Sequence, residues 1–531
     1  TMRKVGHFLF CASLSARALS AACTDDMQHH FVDDVVECVL NQEEWHPLVS
    51  SLQTCASVIQ RASKGDSIER SEARTSLMYV VEVCSSVIRP QCEERFLIYR
   101  YTDVPVAWRA LHTDAILISS AATVHLIRCD SACTRRFLEA RVRDLDLALI
   151  MSGTPGRERE GWVHSLIAEL QQHLLIPDNQ RHGKSRKCNT VVDSVRKPMF
   201  DAAAKQCIHE CERLPSRSEF LSFCPSGKST SYPYGHPFIV RGFAKDWPAI
   251  TRWRDGEDLC RRAGPGRVVP VERGDKYTDS DWGQLIVPWR EFLRRIGWMD
   301  DCGDHSPNER LYLAQHSLHT QFPWLLHDIL VPDYVYTCPP VPLYMPERAS
   351  DDMDPIISVW LGPESTVSPA HTDPYYNCYV QVVGHKHVWV APPNMTDEMQ
   401  VYAAASDGKK HVLVNKERTQ TTATTSEDGE STDSDDMDMF TQLMNNTSQV
   451  DVFSSTPLPA GFVQNVVPHA QHAELHPGDM LFMPPLWWHA LQSTSKVRIV
   501  SGTTTETNRI EFFRVILVLK THACERSMHS M

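Results

Sequence analysis

Between Ile356 and Pro393 the chain is written in short strands, which confines this part of it to a β-sandwich or barrel. Ile356 to Leu361 alternates and is rich in β-branched residues, which fit a pleated, half-buried surface. Tyr376 to Val383 and His387 to Val390 follow as two more strands, joined by a turn at Gly384. Further on, Leu475-His476-Pro477-Gly478-Asp479-Met480 makes a tight turn, with glycine supplying positive φ, and feeds Leu481-Phe482-Met483. His236 to Gly242 and Val268 to Glu272 read as earlier strands. The segment Tyr277 to Trp282 is expected to turn into a helix around Trp289 to Ile296.

Set into this framework is Ser368-Pro369-Ala370-His371-Thr372-Asp373-Pro374. His371 and Asp373, two apart on an extended segment, project to the same side, because strand side chains repeat with period two. His489 arrives far downstream in Leu486-Trp487-Trp488-His489. Two imidazoles and one carboxylate on one face of a metal leave the remaining positions open, the arrangement that suits non-haem Fe(II) oxygenases. His385, His387 and His472 compete as ligands. The first two flank Lys386 one strand away, and neither has an acidic residue at matching spacing along the chain.

The region before the barrel is helical in pattern, from about Asp33 to Pro177. Leu138, Val142, Leu145 and Leu149 recur at steps of four, three and four, the stripe of a half-buried helix. Ser152 to Gly156 stops that helix. Val163, Leu166, Ile167, Leu170 and Leu174 carry the next one to Pro177, and Trp108, Leu111, Ala115 and Ile118 make a similar face. Stacked antiparallel helices without a clean repeat period are expected here. Val5 to Ala22 is broken by His7 and Arg17 and reads as the start of an amphipathic helix. No stretch is read as a membrane span.

The 531 residues divide accordingly: a helical N-terminal domain over 1–186, a linker and helix over 187–216, a barrel domain over 217–500, and an atypical tail over 501–531. Residues 400–445 interrupt the barrel. Thr419 to Asp438 is acidic and almost without apolar side chains, so it cannot offset the entropy of ordering and is expected to be a disordered loop. Lys and Arg total 53 against 66 Asp and Glu, a net charge of −13, which argues against nucleic-acid binding through a general basic surface. The 17 cysteines are spread singly, the pattern of reduced thiols.

Several separated motifs, in order, carry a resemblance. They are Leu311 to His316, Val359-Trp360-Leu361-Gly362-Pro363, the His371/Asp373 block, Gly384-His385-Lys386-His387-Val388, Asn446 to Val452, and Pro477-Gly478-Asp479 through His489. The chain resembles the JmjC-domain oxygenases, most closely the subgroup called JmjC domain-containing protein five, from about Lys197 to Ser501. The resemblance implies an α+β protein: an all-α N-terminal domain followed by a double-stranded β-helix, a cupin-like jelly roll with iron in its open end.

It further implies Fe(II) on His371, Asp373 and His489, with 2-oxoglutarate and O2 as cosubstrates. Lys386 falls where the family places the lysine for the distal carboxylate, a compact cation suited to that role. Tyr312, Ser368 and Asn377 fall where the other cosubstrate contacts lie. Trp360, Trp487 and Trp488 are candidate shielding walls and equally well explained as core, with Trp360 the one expected to face substrate. Glu272, Tyr277, Trp282, Gln315 and Trp360 fall where the subgroup recognises its substrate, a protein arginine that becomes hydroxylated. The alternatives are N-methyl-lysine demethylation by the same chemistry, and a catalytically silent barrel that only binds a peptide. The expected partner is a basic protein or peptide, for a monomeric nuclear or cytoplasmic enzyme without a membrane anchor. After Lys496 to Val500 the sequence departs from the family: Ser501 to Asn508 is polar, so that either the last strand is replaced or the sequence past about Val500 is not the native continuation.

Overall fold

The computed structural model describes residues 46–64, 70–99, 103–129, 133–174, 191–195, 203–225, 233–274, 283–299, 311–344, 355–401, 446–499 and 513–521, apart from positions 157, 338, 340, 341, 364 and 365. The N-terminal stretch to Ala22, residues 187–190 and 196–202 of the linker, Tyr277, Trp282, the acidic loop Thr419 to Asp438 and the polar run Ser501 to Asn508 lie outside the described residues. Two compact units emerge. One comprises residues 1–186 with 260–269 and 287–290, and the other holds the rest.

Among the described residues, six α-helices build the first unit: α1 His46–Lys64, α2 Arg70–Val83, α3 Arg89–Ile98, α4 Val106–Cys129, α5 Arg135–Leu147 and α6 Arg159–Leu174. Thr134 caps α5 by accepting from the Phe137 N–H. Leu138, Val142 and Leu145 are buried along α5. A π-turn over Ala148–Ser152 extends it to Gly153, whose left-handed φ of 67° ends the element. Helix α6 buries Val163, Leu166, Ile167, Leu170 and Leu174. Helix α4 differs from its reading as a one-sided stripe, being buried all round as the centre of the unit. Val106–Ile127 is also long and apolar enough to cross a membrane by composition, but 94% of the tested window is buried inside the protein, as for a core helix. Its buried Asp114 receives both Nε and Nη2 of Arg159 at 2.8 and 3.0 Å. Asp146 on α5 likewise receives Arg267 at 2.9 and 2.6 Å and the Val268 N–H at 2.8 Å, which draws the segment 260–269 into this unit.

The second unit is built of strands. In chain order they are β1 Val191–Val195, β2 Gln206–Cys207, β3 His209–Cys211, β4 Phe238–Val240, β5 Val268–Arg273, β6 Gly283–Pro288, β7 Leu311–His316 and β8 Ile356–Pro363. They continue with β9 Val367–His371, β10 Tyr376–Val383, β11 Lys386–Ala391, β12 Gln471–Leu475, β13 Met480–Met483, β14 Trp488–Ser493, β15 Ser495–Ile499 and β16 Phe513–Thr521. Nine form one sheet in the order β3-β4-β13-β10-β16-β8-β7-β5-β6. Five form another in the order β2-β12-β11-β14-β9, and β1 pairs with β15.

The two larger sheets enclose a common apolar layer. Ile239, Tyr379, Leu481 and Met483 contribute from the first sheet, and Val388, Val390, Leu475 and Leu491 from the second, with Trp360 packed against them. A second cluster, including Trp389, Trp488, Phe462 and Val466, covers the opposite face of the five-stranded sheet. This is the helical-then-barrel α+β architecture that the sequence leads one to expect.

Two elements differ from the reading. The strand β6 precedes the helix that begins at Trp289, where a direct turn into that helix is expected. The strand β16, in the stretch read as an atypical tail, is an interior strand of the nine-stranded sheet, antiparallel to β10 from Tyr376↔Thr521 to Val383↔Val515 and to β8 from Pro363↔Phe513 to Ile356↔Lys520. The nine-stranded sheet thus includes a strand beyond the polar run. Its nine apolar-rich residues fit a position between two neighbours better than an edge.

Candidate metal centre

Strands β9 and β14 run antiparallel with His371 directly opposite His489. Directly opposed residues point to the same face, and Val390 of β11, the other partner of His489, belongs to the inner apolar layer. Both imidazoles are therefore turned between the sheets, their ring centroids 4.2 Å apart. Asp373 follows at the end of the β9 turn. One donor atom from each of His371, Asp373 and His489 lies within 4.8 Å of the other two.

Backbone carbonyls fix both rings. His371 Nδ1 lies 2.8 Å from the Pro369 carbonyl and His489 Nδ1 lies 2.9 Å from the Trp487 carbonyl. A carbonyl oxygen can only accept, so each Nδ1 must carry the proton, and each Nε2 presents its lone pair to the cluster. That is the tautomer a metal-bound imidazole needs, with the orienting partner already in place. His489 Nε2 stands 3.9 Å from Asp373 Oδ2, beyond hydrogen-bond reach and wide enough for an ion between them. The residues present therefore fit a divalent iron.

Bracing surrounds the aspartate. The Asn377 side-chain amide donates to Asp373 Oδ2 at 3.2 Å, and the Leu486 N–H donates to the Asp373 carbonyl at 2.7 Å from a backbone of φ 60°. Asn446 grips the turn by main chain and side chain, accepting from the Thr372 N–H and donating to the Thr372 carbonyl, each at 3.0 Å. This Asn446 clamp is not among the site residues read from sequence; its only signal is the ordered motif that resumes after the long acidic loop. Tyr375 has its phenol pushed up by burial and by the charge of Asp373.

The cosubstrate candidates lie on inward faces. Lys386 is almost fully buried and shares the face of Val388 and Val390, opposite Ser493 of β14 and Leu475 of β12. Ser368 is opposite Leu491, and Asn377 is on the inward row of β10 with Tyr379. The buried Asn377 Oδ1 accepts no hydrogen bond among the described residues. Tyr312 pairs with Glu272 across β5 and β7, and its ring occupies the space left by Gly362. A Cβ at Gly362 would lie 2.2 Å from that ring, so only glycine fits there.

Of the substrate candidates, Glu272 is half-buried and shares the Tyr312 face, and Trp360 is half-buried against the inner layer. Gln315 is exposed, at a left-handed φ of 48° in the irregular stretch of β7 between Leu313 and His316. Trp487 lies in the inner layer, its indole donating to the Tyr234 carbonyl at 2.8 Å. Trp488 differs from the expectation of a shielding wall. It belongs to the outer cluster, as period two along β14 requires once His489 faces inward.

Two facing sheets with a two-histidine, one-carboxylate cluster on their inner surface define a cupin-like barrel. A model of the cupin-like domain family matches residues 229–502. "Jumonji C domain-containing protein 5" of Drosophila melanogaster is 31% identical over 279 residues, 52% of this chain and 55% of its own length. "Lysine-specific demethylase 8" of Danio rerio is 26% identical over 404 residues, 75% of this chain and 82% of its own. "Lysine-specific demethylase JMJ30" of Arabidopsis thaliana is 30% identical over 272 residues, 51% and 50% respectively. The chain thus spans about half the length of the fly and Arabidopsis relatives and about four fifths of the zebrafish one. It belongs to the cupin-like family, and the relatives it is similar to include a protein named for its Jumonji C domain.

Proposed function

We propose that this chain is an Fe(II)- and 2-oxoglutarate-dependent dioxygenase that hydroxylates an arginine side chain of a protein substrate. The observation that carries the reading is the convergence of His371, Asp373 and His489, both rings held by carbonyls with Nε2 turned to the cluster. These three residues would hold iron, which when bound supplies the activation of O2 coupled to oxidation of 2-oxoglutarate to succinate and CO2. Lys386 would neutralise the distal carboxylate of that cosubstrate from a buried position, where a charge counts for more than at the surface. Tyr312, Ser368 and Asn377 complete its hydrogen bonds. Trp360 walls the inner layer, and Glu272, on the face of Tyr312, would receive the guanidinium in a two-point pairing.

A second reading, demethylation of an N-methylated lysine, is favoured by the names of the zebrafish and Arabidopsis relatives. Peptide pools containing arginine or methylated lysine, incubated with the full chain, Fe(II) and 2-oxoglutarate, separate the two by mass. A hydroxyl on an ordinary aliphatic carbon stays, so the expected result is gain of one oxygen on arginine peptides. Glu272→Ala should suppress that gain while uncoupled succinate formation continues. Loss of a methylene from lysine peptides with release of formaldehyde would replace this reading with the second. No modification of either kind would leave a peptide-binding barrel.

A further inference from the structure

Strand β11 has two chemically different faces. Lys386, Val388 and Val390 point inward, while His387 and Trp389 point outward, His385 preceding them at the same parity. The sequence offers these histidines no acidic neighbour along the chain, but the register does. Strand β12 places Glu474 directly opposite His387 on the outward side. Glu474 Oε1 lies 3.6 Å from His385 Nδ1 and 3.8 Å from His387 Nε2. Two residues on, His476 brings its ring to 4.9 Å from that of His385, nearly edge-on at 74°. One donor atom from each of His385, Glu474 and His476 lies within 4.8 Å of the other two, a second such cluster besides the inward one.

We infer that His385, Glu474 and His476 form a second divalent-metal site, for a borderline ion of the zinc class, with His387 3.8 Å from the same carboxylate oxygen. The donors are of the right kind, since imidazole and carboxylate together suit zinc, and three protein ligands leave a fourth position for water. The spacing is telling as well. A hydrogen-bonded His–Glu pair closes to about 2.7–3.2 Å, whereas ligands bound at about 2.1 Å in a tetrahedron stand roughly 3.4 Å apart. The observed 3.6 Å between His385 and Glu474 is close to the second figure.

The site is also reachable: His385 and His387 are buried, but His476 is about half exposed, so an ion can enter from solvent. Asp479 steadies His476, accepting its backbone N–H at 2.9 Å, and is itself fixed by Arg241 at 2.6 Å. The site backs directly onto Lys386, and an ion there would tie β11 to β12 behind the buried lysine.

Equilibrium loading of the full chain with Co(II), which takes zinc sites and reports their geometry by visible absorption, tests this apart from turnover. The wild-type chain should bind two ions and show the intense visible bands of tetrahedral Co(II). His476→Ala and Glu474→Gln should each retain one ion and lose those bands. Asp373→Ala should retain one ion and keep them. His476 is half exposed, so its variant should unfold without metal at the same denaturant concentration as wild type, which shows that the loss is of the site and not of the fold. A wild-type stoichiometry of one, or two ions retained by His476→Ala, overturns the inference.

Discussion

Asp114 and Asp146 in the helical unit each meet one arginine in a two-point pair, Arg159 and Arg267, and all four side chains are nearly sealed from water. Asp373 in the barrel is accompanied differently: a neutral amide from Asn377 on one oxygen, and an imidazole nitrogen 3.9 Å away. The first arrangement satisfies charge with charge at hydrogen-bond distance and fixes structure. The second gathers lone pairs around a space. Buried polarity alone therefore says little about function. What distinguishes the two regions is whether the donors and acceptors close on one another or on a point between them.

Three substitutions sharpen that contrast. Asp373→Ala should abolish succinate formation from 2-oxoglutarate, since two ligands remain where three are needed. It should cost only about 1 kcal/mol of stability, the scale of the single Asn377 hydrogen bond. Retained turnover would remove the aspartate from the centre. Asp114→Ala should do the reverse and destabilise the helical unit by about 3–5 kcal/mol, the usual effect of removing one partner of a buried pair. Chemical denaturation followed by circular dichroism reads this, and a loss below about 1 kcal/mol would mean that the pair behaves like one at the surface. Lys386→Ala should give the smallest effect, raising the 2-oxoglutarate requirement roughly 10–100-fold, the worth of one charge-assisted contact, with metal binding preserved. An unaltered requirement would detach Lys386 from the cosubstrate.

Local pattern carried the sequence reading where the physics is local. The stripe Leu138, Val142, Leu145 needs only the helical period, and the stop at Gly153 needs only a residue that tolerates φ of 67°. His371 and Asp373 share a side by the same kind of rule. Helix α4 shows the limit of such reasoning. A stripe marks one apolar face, but whether the remaining faces are also covered depends on the helices packed around it, and Thr113, Asp114, Ser119 and Thr123 are buried in spite of their polarity.

By itself, then, the sequence determined the helical-then-barrel order and the strand character around the His371/Asp373 block, and it named His371, Asp373 and His489 as candidate ligands. Only the tertiary structure decided what depends on pairing across long separations in the chain. It placed β16 between β10 and β8 after a polar run that reads as the end of the barrel. It turned Trp488 outward, set Arg267 on Asp146, and brought Glu474 opposite His387, giving those histidines an acidic partner they lack along the chain. Register sets these neighbours. A slip of one residue would send every side chain of a strand to the other face, and nothing in a strand's own residues states which partner strand will lie beside it.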